Sequence, residues 1–160
     1  MSSQIQAEHL QPQFVTKPAF IVVGLLIHTK PMTPEIPQLW DQFIPRMGEI
    51  QHLAEPGVSY GLMDHFDQKI GALDYMAGNA VEKVVELPAG MTHWNVPANT
   101  YAVFEARLAT IGETFDYIYN SWLPTSGYQQ AAGPYFERYG GTFSPADPRL
   151  SIYIPVEKKS

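Results

Sequence analysis

The stretch Thr33-Pro34-Glu35-Ile36-Pro37-Gln38-Leu39-Trp40-Asp41-Gln42-Phe43-Ile44-Pro45-Arg46-Met47 places Ile36, Trp40, Phe43, Ile44 and Met47 at i, i+4, i+7, i+8 and i+11. That spacing is one apolar face of a helix. Pro34 just inside Thr33 suits a helix start. Pro45 predicts a kink or an early end, because proline in a helix interior lacks the N–H that the backbone ladder needs. The same offsets recur at Ile111, Phe115, Ile118, Tyr119 and Trp122, with Thr110 and Glu113 spaced as a capping box. A strand-like run precedes each helix, Ala19 to Ile27 and Thr100 to Leu108. Two shorter runs follow each: Val58 to Met63 and Leu73 to Gly78, then Tyr135 to Tyr139 and Ser151 to Val156. A further strand is read from Met91 to Val96.

The chain thus reads as two strand–helix–strand–strand units. A helix apolar on one face needs a sheet to cover, so the expectation is an α+β fold with one antiparallel sheet carrying two main helices. Turn chemistry punctuates the strands at Glu55-Pro56-Gly57, Leu87-Pro88-Ala89-Gly90, Gly140-Gly141 and Ser144-Pro145-Ala146-Asp147-Pro148. No low-complexity linker divides the chain. The expected organisation is a tail over 1–13, one domain over 14–157 and a tail over 158–160.

Composition narrows the function classes. With 160 residues and 45% apolar content the chain can bury one full core. A net charge of −6 and only ten scattered basic residues argue against a nucleic-acid surface. There is no cysteine, which excludes disulfides and thiolate chemistry and fits a reducing compartment. The apolar run Ala19 to Ile27 is too short to span a bilayer and reads as a buried strand. Neither a basic nor an apolar leader segment precedes Phe14, so a cytoplasmic location is expected. His9, His28, His52, His65 and His93 show no metal spacing, and His65 with Asp67 is a lone pair of donors. Neither a phosphate loop nor a G-x-S-x-G elbow is present. No metal and no cofactor are therefore expected.

The chemistry concentrates in Pro134-Tyr135-Phe136-Glu137-Arg138-Tyr139, where Tyr135, Glu137 and Tyr139 share one face of a regular strand. An acid flanked by phenols suits an organic cation, since π faces attract positive charge and a carboxylate partly removed from water completes the attraction. On composition alone, the favoured reading of Glu137 is a solvated strand carboxylate paired with Arg138 or Arg149.

Linked motifs carry a resemblance over most of the chain: Tyr60-Gly61-Leu62-Met63, Tyr75-Met76-Ala77-Gly78, Val96-Pro97-Ala98-Asn99-Thr100-Tyr101, Ser121-Trp122-Leu123-Pro124-Thr125-Ser126-Gly127-Tyr128 and Ile152-Tyr153-Ile154-Pro155-Val156. With these the chain resembles the GyrI-like effector-binding domains, which occur alone or fused to AraC-type and MerR-type DNA-binding regions. The resemblance implies a ligand groove between two similar halves. It also implies that Glu137 meets the positive charge of a bound drug, and that Tyr60, Tyr75, Trp122 and Tyr153 line the groove. Trp94 joins them from nearby sequence.

The leading expectation is a stand-alone module that binds small amphipathic organic cations, to sense or sequester them, without touching nucleic acid or membrane. Whether it works with a partner protein or a second copy of itself is left open. The resemblance supplies two alternatives: hydrolysis of cyclopropane-containing compounds with Glu137 as general base, or a gyrase-inhibitor-like interaction module. No residue is assigned a catalytic role.

Overall fold

The computed structural model describes residues 11–140 and 149–159. The turn read at Ser144-Pro145-Ala146-Asp147-Pro148, His9 and most of the tail read over 1–13 lie outside the described residues. In chain order the elements are β1 (Gln13–Lys17), β2 (Phe20–Thr29), α1 (Glu35–Phe43), β3 (Ser59–Asp67), β4 (Ala72–Val81), β5 (Thr92–Val96), β6 (Asn99–Arg107), α2 (Ile111–Tyr117), α3 (Leu123–Thr125), β7 (Tyr128–Gln130), β8 (Tyr135–Tyr139) and β9 (Arg149–Lys158).

Every strand pairing among the described residues is antiparallel. The spatial order is β1-β6-β9-β8-β3-β4-β2-β5, with β7 beside β9. Read outward from the β8/β3 seam, one half runs β3-β4-β2-β5 and the other β8-β9-β6-β1. The duplication expected from the helical stripes is thus present as a mirrored strand order, and the fold is the α+β sheet with two main helices. Both β1 and β7 went unread in the sequence. The first is a short, largely exposed strand at the sheet edge, and the second is three residues of Tyr-Gln-Gln with no apolar alternation.

The helices depart from their expected outlines. α1 ends at Phe43 and passes into a 3₁₀ turn over Ile44–Glu49 with Pro45 at its start. The tighter winding turns Ile44 away from the core to 57% exposure, while Leu39, outside the expected stripe, is buried. The capping box at Thr110 and Glu113 does not form. A 3₁₀ turn, Leu108–Thr110, leads directly into α2, so the Ile111 N–H bonds to Leu108 O and the Thr110 hydroxyl turns back to Arg107 O. After Tyr117 the helix widens into a π turn over Ile118–Trp122.

One face of the sheet carries both helices. Against it pack Leu39 and Phe43 of α1 with Val23, Met63, Leu73, Tyr75 and Ala77, and Ile111 and Ile118 with Phe104, Ile152 and Ile154. The opposite face holds a second core of Val22, Leu62, Met76, Tyr60, Tyr101 and Phe136. Where β2 crosses β4, Gly24 faces Gly78, and a Cβ at Gly24 would lie 2.0 Å from the Ala77 carbonyl oxygen. Only glycine permits so close an approach of the two backbones.

Candidate functional site

Glu137 sits in the middle of β8, directly across the seam from Gly61 of β3, and is only 7% exposed. Strand alternation puts it on the helix-bearing face with Tyr135 and Tyr139, as the sequence spacing requires. Its Oε1 accepts two hydrogen bonds, from the Tyr75 hydroxyl at 2.9 Å and the Tyr139 hydroxyl at 3.0 Å. The Tyr75 oxygen in turn accepts the Trp40 indole N–H at 2.8 Å, which ties α1 to the carboxyl. Oε2 has no hydrogen-bond partner among the described residues.

Gly61 makes this arrangement possible. A Cβ there would lie 2.3 Å from the Tyr75 hydroxyl oxygen and 2.8 Å from Glu137 Oε1, so any other residue would occupy the space where the phenol meets the carboxyl.

Burial pushes the Glu137 carboxyl from its ordinary 4.5 up to about 7, against the opposing pull of the two phenol hydrogen bonds. Tyr75 and Tyr139 are pushed well above the usual phenol range, first by burial and then by the neighbouring carboxylate. They are therefore hydrogen-bond donors at every physiological pH.

Glu137 and Tyr139 line a cavity of about 610 Å³. Its walls come from both halves: Ile36, Trp40 and Ile44 on α1 and the turn after it, and Leu108 and Ile111 at the entry to α2. Thr33, Ser59 and Asp41 add polar atoms, and among the described residues no Lys or Arg lines it. Met32, Ile44 and Leu108 line the cavity and are also exposed, at 67%, 57% and 42%, so its mouth is apolar. A cavity of this size and lining has room for a drug-sized molecule.

The residues expected around Glu137 do not all meet there. Tyr75 does, through its direct hydrogen bond. Tyr60, Trp94 and Tyr153 pack against the opposite face of the sheet. There Tyr60 donates to Glu55 Oε2 at 2.6 Å, in a network that Arg138 completes through Glu55 Oε1 at 2.9 Å. Tyr153 stacks on Phe136 at 4.7 Å, and Trp94 lies parallel to the His65 ring at 5.9 Å. Trp122 is on the helix-bearing side but within the second half's core, edge-on to Phe104 at 5.2 Å and parallel to Tyr128 at 6.3 Å.

Two contributors were not singled out in the sequence, Trp40 as a donor and Gly61; Tyr139 was read on the face of Glu137 but not among the groove residues. Trp40 had carried a signal, since a Trp in an apolar stripe must find an acceptor for its N–H when buried. Among the described residues no cluster of three or more His, Asp or Glu could hold a metal ion. Nor is any helix long and apolar enough to cross a membrane.

A duplicated antiparallel sheet carrying two helices is the fold of an effector-binding domain, and comparison with known proteins agrees. Residues 13–156 match the model of Cass2, the integron-associated effector binding protein family, and the chain belongs to that family. It is 37% identical over 153 residues to the transcriptional regulator BrlR of Pseudomonas aeruginosa, a match that covers 92% of this chain and 56% of that protein. The chain therefore spans little more than half the length of that relative. The integron cassette protein of Vibrio cholerae superposes with a TM-score of 0.67 at 21% identity, covering 92% of this chain and 97% of the other. SAV2435, in a structure bound to tetraphenylphosphonium, superposes with a TM-score of 0.70 at 18% identity, over 92% and 94% of the two chains. At those identities the two structures establish a shared fold.

Proposed function

We propose that this chain binds small amphipathic organic cations in the cavity between its halves, with Glu137 as the counter-charge and Tyr75, Tyr139 and Trp40 holding that carboxyl in place. The observation that carries the reading is the asymmetry of the carboxyl: Oε1 is held by two phenols, and Oε2 has no partner among the described residues, on a side chain that lines an apolar cavity. A charge with so little water around it gains most from a partner that brings positive charge and apolar surface together. Apolar burial, at about 25 cal/mol per Å², is nearly indifferent to chemical detail. The cavity therefore accepts varied skeletons and selects mainly on charge. The binding of tetraphenylphosphonium by SAV2435, which shares the fold, is consistent with this class of ligand.

A hydrolase built on the same carboxyl would need further acid–base groups near the reacting atom. Among the described residues, Tyr75 and Tyr139 are the titratable side chains hydrogen-bonded to Glu137, and both are poor proton donors. Binding therefore fits the site better than catalysis.

Equilibrium dialysis of tetraphenylphosphonium at pH 8 tests the proposal. The expected result is measurable binding that weakens tenfold or more in Glu137→Gln, about 1.4 kcal/mol. Equal affinity of the two proteins would remove Glu137 from the site.

A further inference from the structure

The hydrogen bonds around Glu137 determine where a proton on this side chain must sit. The Trp40 indole nitrogen is a donor only, so the Tyr75 oxygen acts as its acceptor, and the phenol proton is thereby committed to Glu137 Oε1. Tyr139 supplies a second donor to the same oxygen. With Oε1 already accepting from both phenols, the protonated acid carries its hydrogen on Oε2, the oxygen with no partner among the described residues. A neutral carboxyl there is a hydrogen-bond donor on a side chain that lines an apolar cavity, and a carboxylate there is an anion.

We infer that the cavity recognises two chemical classes through this one side chain: organic cations when Oε2 is ionised, and uncharged amphipathic compounds with a strong hydrogen-bond acceptor, such as a phosphoryl, sulfoxide or amide oxygen, when Oε2 carries the proton. The inference rests on the proposed function and extends it to neutral ligands. The groups packed around the carboxyl leave its charge to the ligand. From β4 and β8 these are the phenols of Tyr75, Tyr135 and Tyr139, all pushed above the usual phenol range and thus neutral. From α1 the only ionisable cavity-lining residue is Asp41, at the exposed rim, and from β3 Ser59 and Gly61 carry no charge. Asp64 of β3 acts on Tyr135. Among the described residues no basic side chain lines the cavity. A carboxyl pushed up to about 7 by burial is available in both forms near neutrality.

The test uses two probes of similar shape that do not themselves titrate between pH 5.5 and 8.5: tetraphenylphosphonium and the neutral acceptor triphenylphosphine oxide. Each is titrated calorimetrically into wild-type protein, Glu137→Gln and a control at an exposed acid away from the cavity lining, Glu86→Gln. With half-ionisation near pH 7, the neutral form falls from nearly all to about 3% over this range. The phosphine oxide should therefore bind about 30-fold more weakly at pH 8.5 than at pH 5.5, while the phosphonium strengthens over the same range. Glu86→Gln should preserve both trends.

Glu137→Gln imitates the protonated acid, with its carbonyl oxygen facing the phenols and its amide N–H₂ facing the cavity. It should hold the phosphine oxide at all pH values with affinity within about threefold of the wild type at pH 5.5, and lose the pH dependence. A phosphine oxide affinity in the wild type that does not change with pH, or one lost in Glu137→Gln, would overturn the inference. If the phosphonium follows its expected trend while the phosphine oxide does not bind, the inference fails and the cation-binding reading stands. If the phosphonium does not bind either, both fail.

Discussion

Replacing Glu137 by Gln should stabilise the protein at alkaline pH, because the wild type holds an ionised carboxylate in a poorly hydrated place. Burial raises the carboxyl from 4.5 to about 7 in the fold, while the unfolded chain keeps the ordinary value. Between these values the native state binds more protons than the unfolded state, so stability falls as pH rises through this window. The contribution of the neutral acid is complete below about pH 4.5 and lost by about pH 7.5. At 1.36 kcal/mol per pH unit, the loss due to Glu137 alone is about 3 kcal/mol, a large part of the stability of an ordinary domain. Gln cannot ionise and loses nothing over the same range. Urea unfolding of both proteins at intervals from pH 4.5 to 8.5 gives the difference in unfolding free energy at each pH, from which all other titrating groups cancel. That difference should shift in favour of Glu137→Gln by about 3 kcal/mol between the ends of the range. A difference constant with pH would mean that the carboxyl is no harder to ionise in the fold than in the unfolded chain, and the argument from burial would be refuted.

Other substitutions probe the supporting residues. In Gly61→Ala the new methyl meets the Tyr75 hydroxyl and Glu137 Oε1 at 2.3 and 2.8 Å, so about 2 kcal/mol of stability should be lost in a thermal melt, together with phosphonium binding. Trp40→Phe keeps an aromatic ring but removes the donor to Tyr75, and should cost about 1 kcal/mol in urea unfolding and weaken phosphonium binding several-fold. Tyr60→Phe removes the donor to Glu55 on the opposite face of the sheet. It should cost about 1 kcal/mol of stability yet leave phosphonium affinity within twofold, as judged by the same dialysis.

The helical stripes at Ile36 to Met47 and Ile111 to Trp122 made the duplicated plan legible, because a 3.6-residue period leaves its mark in a single segment. Which strand residues share a face is a different matter. Alternation relates Tyr135, Glu137 and Tyr139 within β8, but cross-strand register alone relates them to other strands. Glu137 stands opposite Gly61, and this puts Tyr60, one residue away, on the other side of the sheet. Tyr153 stands opposite Phe136, not Glu137, and is likewise turned away. Tyr75 is two positions along β4 from Ala77, the partner of Gly61, so it emerges on the face of the carboxyl. None of these offsets leaves a trace in any one segment. The capping box misled for a local reason: the Thr110 hydroxyl turns back to donate to Arg107 O, and Thr110 makes no side-chain cap to the helix.

The central claim is that a bound cation pairs with the ionised carboxyl of Glu137, and proton release on binding tests it most directly. Calorimetric titrations of tetraphenylphosphonium at pH 6, in buffers of different ionisation enthalpy, give the number of protons that leave the protein per cation bound. At that pH about 0.9 of Glu137 is protonated in the free protein, so wild type should release close to one proton and Glu137→Gln none. Binding without proton release, or equal release from both proteins, would contradict the account.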